Sequence, residues 1–296
     1  MSPPAHFADA LLNAIDAAGA PVCVGLDPVL DRLPAELAPR DGSRESAARA
    51  VRDFSIHVLD AVAGVVPAVK PQSACYERFG APGLAALEEV CRAARDRNLL
   101  VILDVKRGDI GVTADHYAHA AFNPHNCNAH AATVSPYLGL DTLDPWLAPT
   151  YSDRGLFVLV RTSNPHSDLL QSLPTGPDNT PYAHHLASLL AQRAEQHLGA
   201  RGFSSLGAVV AATKPHDAAA LRALMPKQLF LVPGFGAQGG DAESVRNLFL
   251  PSGHGALITA SRSVLYPTTP SDAQWRNSIR SAAQEFAHTI RNVASR

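Results

Sequence analysis

LLVILDVKRGDIG, residues 99–111, is the stretch of sequence that decides the fold. It begins as a run of large apolar residues, which is typical of a parallel strand covered on both faces. Charged residues follow within the same stretch, and Asp104 and Lys106 stand two positions apart. Because strand side chains alternate between two faces, these two residues share one face. The stretch therefore predicts a buried strand that ends in a charged site.

Similar apolar runs recur along the chain at fairly even intervals, with amphipathic, helix-like stretches between them. The predicted strands are residues 22–27, 68–72, 99–106, 132–136, 156–162, 206–212, 229–234 and 256–261. The predicted helices are residues 43–64, 83–98, 182–198, 215–224, 242–249 and 272–293. Strands that alternate with helices in this way predict an α/β protein with a single (β/α)8 TIM barrel. An open doubly wound sheet is the rival architecture, because hydrophobic patterns separate the two poorly.

The length of 296 residues suits one large barrel or two small domains. The polar strand ends make sense only around a single mouth, so we expect one domain over residues 1–296. Residues 165–181 are rich in Ser, Pro, Asn, Asp and Gly, which predicts a long loop within that domain. No GxGxxG follows the first strand and no GxxxxGK[ST] occurs, which weakens the dinucleotide and P-loop interpretations.

Composition excludes several classes of protein. The 25 Lys and Arg against 27 Asp and Glu argue against a non-specific nucleic-acid binder, which needs a basic face. No apolar run approaches the ~18 residues of a membrane span, and the first residues lack a signal-peptide pattern. The four cysteines are widely spaced without a CxxC pair, so they indicate neither a zinc ribbon nor a disulfide scaffold. We expect a cytoplasmic protein that binds neither nucleic acid nor membranes.

Two groups of polar residues follow the predicted strands, at the end where barrel enzymes build their active sites. In the first, Asp104 and Lys106 would point into the barrel. Burying a charge is costly unless it is paired, so Lys70 and Asp109 are expected to join the same charge network. Gly108 would let the chain turn after the strand and leave room for a ligand or a neighbouring subunit. A buried ion pair without chemistry is the alternative.

The second group is the glycine-rich stretch PGFGAQGG, residues 233–240, together with Arg262 after the eighth strand. Loops after the seventh and eighth strands of barrels commonly bind phosphate through backbone N–H groups. The guanidinium of Arg262 would add a bidentate, charge-assisted contact. An ordinary tight turn beside a surface arginine is the alternative.

These motifs together resemble the orotidine 5′-phosphate decarboxylase family, in its longer bacterial branch. DVKRGDIG, residues 104–111, followed by Thr113, matches the DxKxxDI signature of that family. Supporting matches are LDP at 26–28, VKPQ at 69–72, SPYLG at 135–139, TSNP at 162–165, VPG at 232–234 and SR at 261–262. They occur in the expected order, so the resemblance covers nearly the whole chain.

The resemblance implies a cofactor-free and metal-free conversion of orotidine 5′-monophosphate to UMP and carbon dioxide, the last step of pyrimidine nucleotide synthesis. Lys106 would protonate C6 of the pyrimidine as carbon dioxide leaves. Asp104 would lie against the substrate carboxylate. Lys70 would hold the charge network and contact the ribose.

The resemblance also implies the binding residues and a partner. Asp27 would bind the ribose or the base edge, and Ser163 or Thr162 would contact the pyrimidine. The residues that match the phosphate grip are Gly236, Gln238 and Arg262. Asp109, with Ile110 and Thr113, would reach into the site of a second subunit, which implies a homodimer with shared active sites.

Two stretches depart from the family pattern. Residues 115–130 are rich in histidine, and His116 and His119 could share a helix face. No carboxylate or cysteine completes a recognised metal spacing there, so a polar helix and loop are expected. Residues 75–77, Cys-Tyr-Glu, stand where the family often has two aromatics, which changes packing and removes no catalytic group.

Three other functions fit part of the pattern. A metal-dependent sugar-phosphate decarboxylase or epimerase of the same superfamily would also keep a DxK strand and a phosphate site. A non-catalytic phosphate-ligand binding barrel would bind nucleotide without turnover. A Schiff-base aldolase would use Lys106 as a nucleophile, but a carboxylate on the same face favours a protonated lysine.

Overall fold

In this structure, a computed structural model, residues 6–235, 242–267, 269 and 273–295 are described. Its strands are β1 (Val22–Leu26), β2 (Ala68–Pro71), β3 (Leu100–Arg107), β4 (Ala131–Val134), β5 (Gly155–Arg161), β6 (Pro174–Thr175), β7 (Thr180–Pro181), β8 (Ser204–Val210), β9 (Gln228–Val232) and β10 (Ala256–Ala260). All except β6 and β7 form a closed parallel barrel in the order β1-β10-β9-β8-β5-β4-β3-β2. The predicted (β/α)8 barrel is therefore confirmed, and closure excludes the open sheet.

Helices cover the outside of the barrel between its strands. They are α1 (Phe7–Ala18), α2 (Arg44–Val62), α3 (Ala74–Glu77), α4 (Ala81–Arg95), α5 (Gly111–Phe122), α6 (Asp168–Gln171), α7 (Tyr182–Ala194), α8 (Pro215–Leu224), α9 (Ala242–Arg246), α10 (Arg262–Leu265) and α11 (Trp275–Ala294). Every predicted barrel strand lies within two residues of an observed one at both ends. Among the described residues, no helix has both the length and the apolar content needed to cross a membrane.

The prediction of a long loop at residues 165–181 is wrong. The segment holds a 3₁₀ turn, then α6, and then the antiparallel hairpin of β6 and β7. Gly176 and Asn179 both have positive φ, which lets the short connection between these strands reverse direction. The Ser, Pro, Asn, Asp and Gly residues of this segment therefore form tight turns between short helices and strands, and not one long loop.

The helix α1 is absent from the sequence prediction, and it closes the bottom of the barrel. The Phe7 ring packs edge-on against Phe157 inside the barrel, with ring centroids 5.9 Å apart. A Cβ at Gly155 would lie 2.1 Å from the Phe7 ring, so only glycine fits at the start of β5. Such a plug excludes water from the lower end of the barrel and leaves the upper end open.

The apolar layer inside the barrel is built from inward side chains of all eight barrel strands. It consists of Cys23, Ala68, Ile102, Ala131, Phe157, Val209, Leu229, Leu231 and Leu257, so β9 contributes two residues. The intervening residues on each strand pack outward against the helices. Because strand side chains alternate, residues two and four positions beyond this layer point into the barrel mouth.

Candidate active site

A cavity of about 610 Å³ opens at the mouth, above the apolar layer. Most of its polar lining comes from the carboxyl ends of the strands, and Gln171 enters from α6. The polar and charged side chains of the lining include those of Asp27, Lys70, Gln72, Asp104, Lys106, Thr133, Thr162, Ser163, Gln171, Ser261 and Arg262. These residues, distant in sequence, therefore share one solvent-accessible space.

Asp104 is the hub of this cavity, and it is buried. Its Oδ2 accepts hydrogen bonds from Lys70 Nζ at 2.5 Å and from Gln72 Nε2 at 3.2 Å. Its Oδ1 accepts from Thr133 Oγ1 at 2.9 Å and from the ammonium of Lys106. Both carboxylate oxygens are therefore saturated by donors, two of which are cations.

The two lysines keep the hub ionised. Burial by itself would raise the pKa of Asp104, but the ammonium groups of Lys70 and Lys106 outweigh it and hold that pKa well below its ordinary value. Burial would likewise lower the pKa of Lys70, yet the carboxylates of Asp104 and Asp27 raise it above its ordinary value. At neutral pH the site thus carries fixed, alternating charges.

Lys106 combines an unusual backbone with an accessible ammonium. Its φ is +48°, and the pairing of β3 with β4 changes register between Leu103 and Arg107. The side chain is 47% exposed while it contacts Asp104, which leaves its Nζ open to a ligand in the cavity. The prediction that Asp104 and Lys106 share the inward face agrees with this contact.

Glu77, in the stretch that departs from the family pattern, holds the residue next to Lys106. Its Oε1 accepts from Arg107 Nη2 and from Ser73 Oγ, both at 2.5 Å. The neighbouring Tyr76 is buried, and its hydroxyl lies 2.7 Å from Ser55 Oγ. The departure therefore changes packing around β2 and β3 and leaves the cavity lining intact.

In the described part of its own chain, Asp109 makes no contact with the charge network, and its expected place in the site of a second subunit stays a prediction. Its Oδ1 accepts the backbone N–H of Ile110 at 2.9 Å, and it is not among the residues that line the cavity. Ile110 is 61% exposed, and Thr113 is exposed as well. The chain has left the barrel by this point, so these three side chains lie outside the lining of the cavity.

Gly108 has a different role from the one expected. The positive φ of this turn belongs to Lys106, and Gly108 is needed because a Cβ there would lie 2.9 Å from the backbone oxygen of Ser135. The space beside Gly108 is therefore filled by the segment after β4, whose Ser135 N–H donates to Arg107 O at 2.8 Å.

The end of β5 forms another wall of the cavity. Gln171 Oε1 accepts the backbone N–H of Thr162, and Gln171 Nε2 donates to Thr162 Oγ1, both at 2.9 Å. The Thr162 hydroxyl in turn donates to Asn164 Oδ1 at 2.7 Å. Within the described chain, Ser163 makes no side-chain hydrogen bond, so its hydroxyl remains available to a ligand.

The buried Arg161 anchors this wall. Its Nε donates to Asp217 Oδ2 at 2.5 Å, and its Nη2 contacts the carboxylate of Asp168 at the start of α6. Lys214 Nζ lies 2.9 Å from both oxygens of Asp168. Opposite charges thus tie the segment that carries Gln171 to both β5 and the region of α8.

The side of the cavity where phosphate binding is predicted is described in part. Arg262 lines the cavity at the first residue of α10. Gly236 and Gln238 lie outside the described residues. Asp27 Oδ1 and Ser261 Oγ are buried without a hydrogen-bond partner in the described part of the chain, and both residues line the cavity. Unsatisfied buried polar atoms of this kind are suited to binding a polar ligand.

The histidine-rich stretch lies apart from the cavity. His116 and His119 are exposed on α5, and His119 Nε2 lies 2.9 Å from Asn123 Nδ2. His130 Nδ1 accepts the backbone N–H of Val101 at 2.9 Å, at the lower end of β3. No group of three or more His, Cys, Asp or Glu side chains in the described ranges is placed to hold a metal.

Three polar residues of the site were given no role from the sequence, although Gln72 was noted in the VKPQ match. Gln72 donates to Asp104, Thr133 donates to the same carboxylate, and Gln171 holds Thr162. A signal for Thr133 was present, since it stands two positions after an inward alanine on an otherwise apolar strand. No local signal marks Gln171, because it reaches the site through the fold of residues 165–181.

Comparisons with known proteins identify the family of the chain. The family model for the orotidine 5′-phosphate decarboxylase / HUMPS family matches residues 20–273. The orotidine 5′-phosphate decarboxylase of Rhodopirellula baltica is 40% identical over 302 residues, covering 96% of this chain and 99% of that protein. That of Deinococcus radiodurans is 42% identical over 247 residues, covering 83% and 84%. The solved structure of Leishmania donovani OMP decarboxylase has a TM-score of 0.77 at 34% identity and covers 98% of each chain.

Proposed function

The chain belongs to the orotidine 5′-phosphate decarboxylase / HUMPS family, and from that premise we propose that it converts orotidine 5′-monophosphate to UMP and carbon dioxide. The observation that carries the proposal is the array Lys70–Asp104–Lys106 at the open end of the barrel. Its charges are held in place before any ligand arrives, as electrostatic catalysis requires.

The reaction needs a cation and a proton at one carbon. When the bond from C6 to the carboxylate breaks, carbon dioxide leaves and the electron pair stays on C6. The ammonium of Lys106 stabilises that pair and then transfers a proton to C6, which completes UMP. The neutral lysine regains a proton from water. In this scheme no metal or organic electron sink is required.

Asp104 aims the Lys106 ammonium at the reacting carbon. Its ionised carboxylate accepts hydrogen bonds from both lysines and holds them in place. The substrate carboxylate lies against Asp104 before it departs. Lys70 completes the network and contacts the ribose, and Asp27, with its unsatisfied Oδ1, binds the ribose or the base edge.

Ser163 is our choice over Thr162 for the direct contact with the pyrimidine. The hydroxyl and backbone N–H of Thr162 are occupied by Gln171 and Asn164. Ser163 lines the same cavity with its hydroxyl available. Thr162 therefore supports the wall, and Ser163 reads the base.

The phosphate binds on the opposite side, at Arg262 together with Gly236 and Gln238. A remote dianion held by an arginine supplies binding energy that is used at the reacting carbon. The cavity extends between these two sides, from the Arg262 region to the β5 wall.

We further propose a homodimer in which Asp109 enters the site of the partner. Asp109, Ile110 and Thr113 follow the cavity-lining Lys106 in the chain and do not line their own cavity. Val112, Tyr137 and Leu138 are also largely exposed in the neighbouring segments. Exposed apolar side chains of this kind beside a charged residue suit a subunit interface.

A reducing compartment, the cytoplasm, is the location we propose. Cys23, Cys91 and Cys127 are buried thiols, Cys75 is half-buried, and none of the four forms a disulfide. Thiols persist in this form where the redox poise is reducing.

The decisive experiment is an assay of protein treated with a metal chelator. Adding orotidine 5′-monophosphate should cause loss of the orotate absorbance, with UMP as the product. Lys106→Ala should lower kcat by about 10⁴-fold or more, because it removes both the proton donor and the stabilising charge. Circular dichroism checks that this variant is folded. No absorbance change with folded wild-type protein would contradict the proposal, and activity restored only by a divalent metal would favour the metal-dependent alternative.

A further inference from the structure

Thr133 stands at an inward position of β4 and is almost completely buried, with an exposed fraction of 1%. Its neighbours Ala132 and Val134 face outward into the apolar layer under the helices. A lone hydroxyl between apolar residues is an exception that needs a polar partner. The proposed reaction assigns Thr133 no role.

Its hydroxyl uses all of its hydrogen-bonding capacity on the catalytic strand. Thr133 Oγ1 accepts the backbone N–H of Val105 at 3.1 Å and that of Lys106 at 3.0 Å. It donates its own proton to Asp104 Oδ1 at 2.9 Å. One donor and two acceptor sites are all that a hydroxyl offers, and each is filled here.

The ionisation of Asp104 determines the direction of these bonds. A carboxylate has no proton to give, so the hydroxyl must donate to it and present its lone pairs to the two amides. The lysines hold Asp104 ionised, which keeps this arrangement in a single orientation. Thr133 therefore links the charge state of Asp104 to the backbone of Lys106.

The backbone around Lys106 needs a hydrogen-bond acceptor from outside its own strand. Lys106 has a φ of +48°, a region that residues with a Cβ seldom adopt, and the strand pairing is irregular between Leu103 and Arg107. Buried N–H groups at such an irregularity lack their usual sheet partners and must be satisfied by other acceptors. The hydroxyl of Thr133 is that acceptor for two consecutive amides.

We propose that Thr133 is a positioning residue, whose hydroxyl holds the irregular end of β3 so that the Lys106 ammonium faces both Asp104 and the reacting carbon. This inference rests on the proposed decarboxylation for its catalytic consequence. Its structural content, the hold on Lys106, stands apart from that reaction and is measured separately below.

Thr133→Val is the principal test, because valine keeps the shape and removes the hydroxyl. We expect kcat to fall about 100-fold, since a displacement of the proton donor by about 1 Å has effects of that size. KM for orotidine 5′-monophosphate and the dissociation constant of UMP should stay within about threefold, because the phosphate and ribose contacts are untouched. Thr133→Ser, which keeps the hydroxyl, should retain kcat within about fivefold.

Thr142→Val is the matched control. Thr142 is also a buried threonine that follows β4, and its hydroxyl donates to Gly139 O at 2.6 Å, away from the cavity. It should lose stability without loss of kcat. Thr133→Ala is measured beside Thr133→Val, so that the hydroxyl is also removed without placing a methyl group against the two amides.

A readout independent of turnover is the acetylation rate of Lys106 by acetic anhydride, followed by peptide mass spectrometry. Releasing the Lys106 amine from its hydrogen bond with Asp104 should leave it more accessible to the reagent. The rate should therefore rise about tenfold in Thr133→Val and stay unchanged in Thr142→Val. Equal rates in wild type and in the folded valine or alanine variants would overturn the positioning role. So would a serine variant as impaired as the valine one. Absence of decarboxylation in the wild type would contradict the proposed function instead, and the labelling comparison would still decide the role of Thr133.

Discussion

Asp104 accepts hydrogen bonds from side chains that approach it from β2, β3 and β4. Taking a carboxylate and two ammonium groups out of water is unfavourable, and the mutual attraction offsets this only when the geometry is good. Removing one partner would leave a buried charge unpaired, at a cost of about 3–5 kcal/mol in the free energy of unfolding. Substitutions of Asp104 or Lys70 should therefore lower both stability and activity. Substitution of the more exposed Lys106 should lower activity with less effect on stability.

His130, at the end of the barrel opposite the cavity, leads to a prediction about how the stability of the protein depends on pH. Burial, together with Arg154 and Arg95, lowers its pKa from 6.5 to about 4. The folded protein then binds fewer protons than the unfolded chain between these values, so stability rises with pH across this window and falls as the pH drops. We expect the free energy of unfolding to lose about 1–2 kcal/mol between pH 7 and pH 5 through this residue.

The measurement is urea unfolding at a series of pH values with His130→Asn as the comparison. Asparagine can accept the N–H of Val101 in place of the imidazole nitrogen and does not titrate. The free energy of unfolding of the wild type, relative to that of His130→Asn, should decrease as the pH falls from 6.5 towards 4. Parallel stability curves over that range would contradict the assignment.

At the level of elements, the segment of residues 165–181 acts as a brace for the β5 wall. Asp168 at the start of α6 binds Arg161 and Lys214, and Gln171 at its end holds Thr162. The ion pairs at the end of β5 thus hold residues 165–181 in place, and that segment in turn fixes the positions of Thr162 and the adjoining Ser163.

Removing the amide of Gln171 should loosen that wall. For Gln171→Leu we expect KM for orotidine 5′-monophosphate to rise about tenfold with a smaller change in kcat, because the contact serves binding of substrate and transition state alike. Steady-state kinetics measure the two constants. Ser172→Ala is the control, since Ser172 lies 3.3 Å from Arg161 and has no contact with Thr162. An unchanged KM in Gln171→Leu would show that the brace does not contribute to substrate binding.

For the whole molecule, the proposed dimer makes a quantitative prediction. Lys106→Ala and Asp109→Ala should each be nearly inactive alone, yet a mixed dimer would contain one site with both residues intact. Random exchange of equal amounts forms mixed dimers in half of the population, so the mixture should recover about a quarter of wild-type activity.

Two measurements accompany this experiment. Native mass spectrometry establishes that subunits have exchanged. Mixing Lys106→Ala with a chain that carries both substitutions is the control, because no site then holds Lys106. If exchange is complete and the first mixture stays inactive, the sharing of Asp109 is disproved.

The amino-acid sequence by itself determined the barrel strands and the pairing of Asp104 with Lys106. Apolar runs predict strands from short-range information alone, and the alternation of side chains along a strand assigns Asp104 and Lys106 to one face. The boundaries of the strands and the contact between these two charges agree with the structure. Both depend on residues only a few positions apart.

Tertiary structure decided what depends on residues far apart in the chain. Closure of the barrel brings Thr133 against the backbone of Lys106, and the folding of residues 165–181 brings Gln171 against Thr162. It also leaves Asp109 outside the lining of its own cavity, because the chain has left the barrel by that residue. Such contacts carry no periodic signal, because each depends on how two separate segments pack once the sheet has closed.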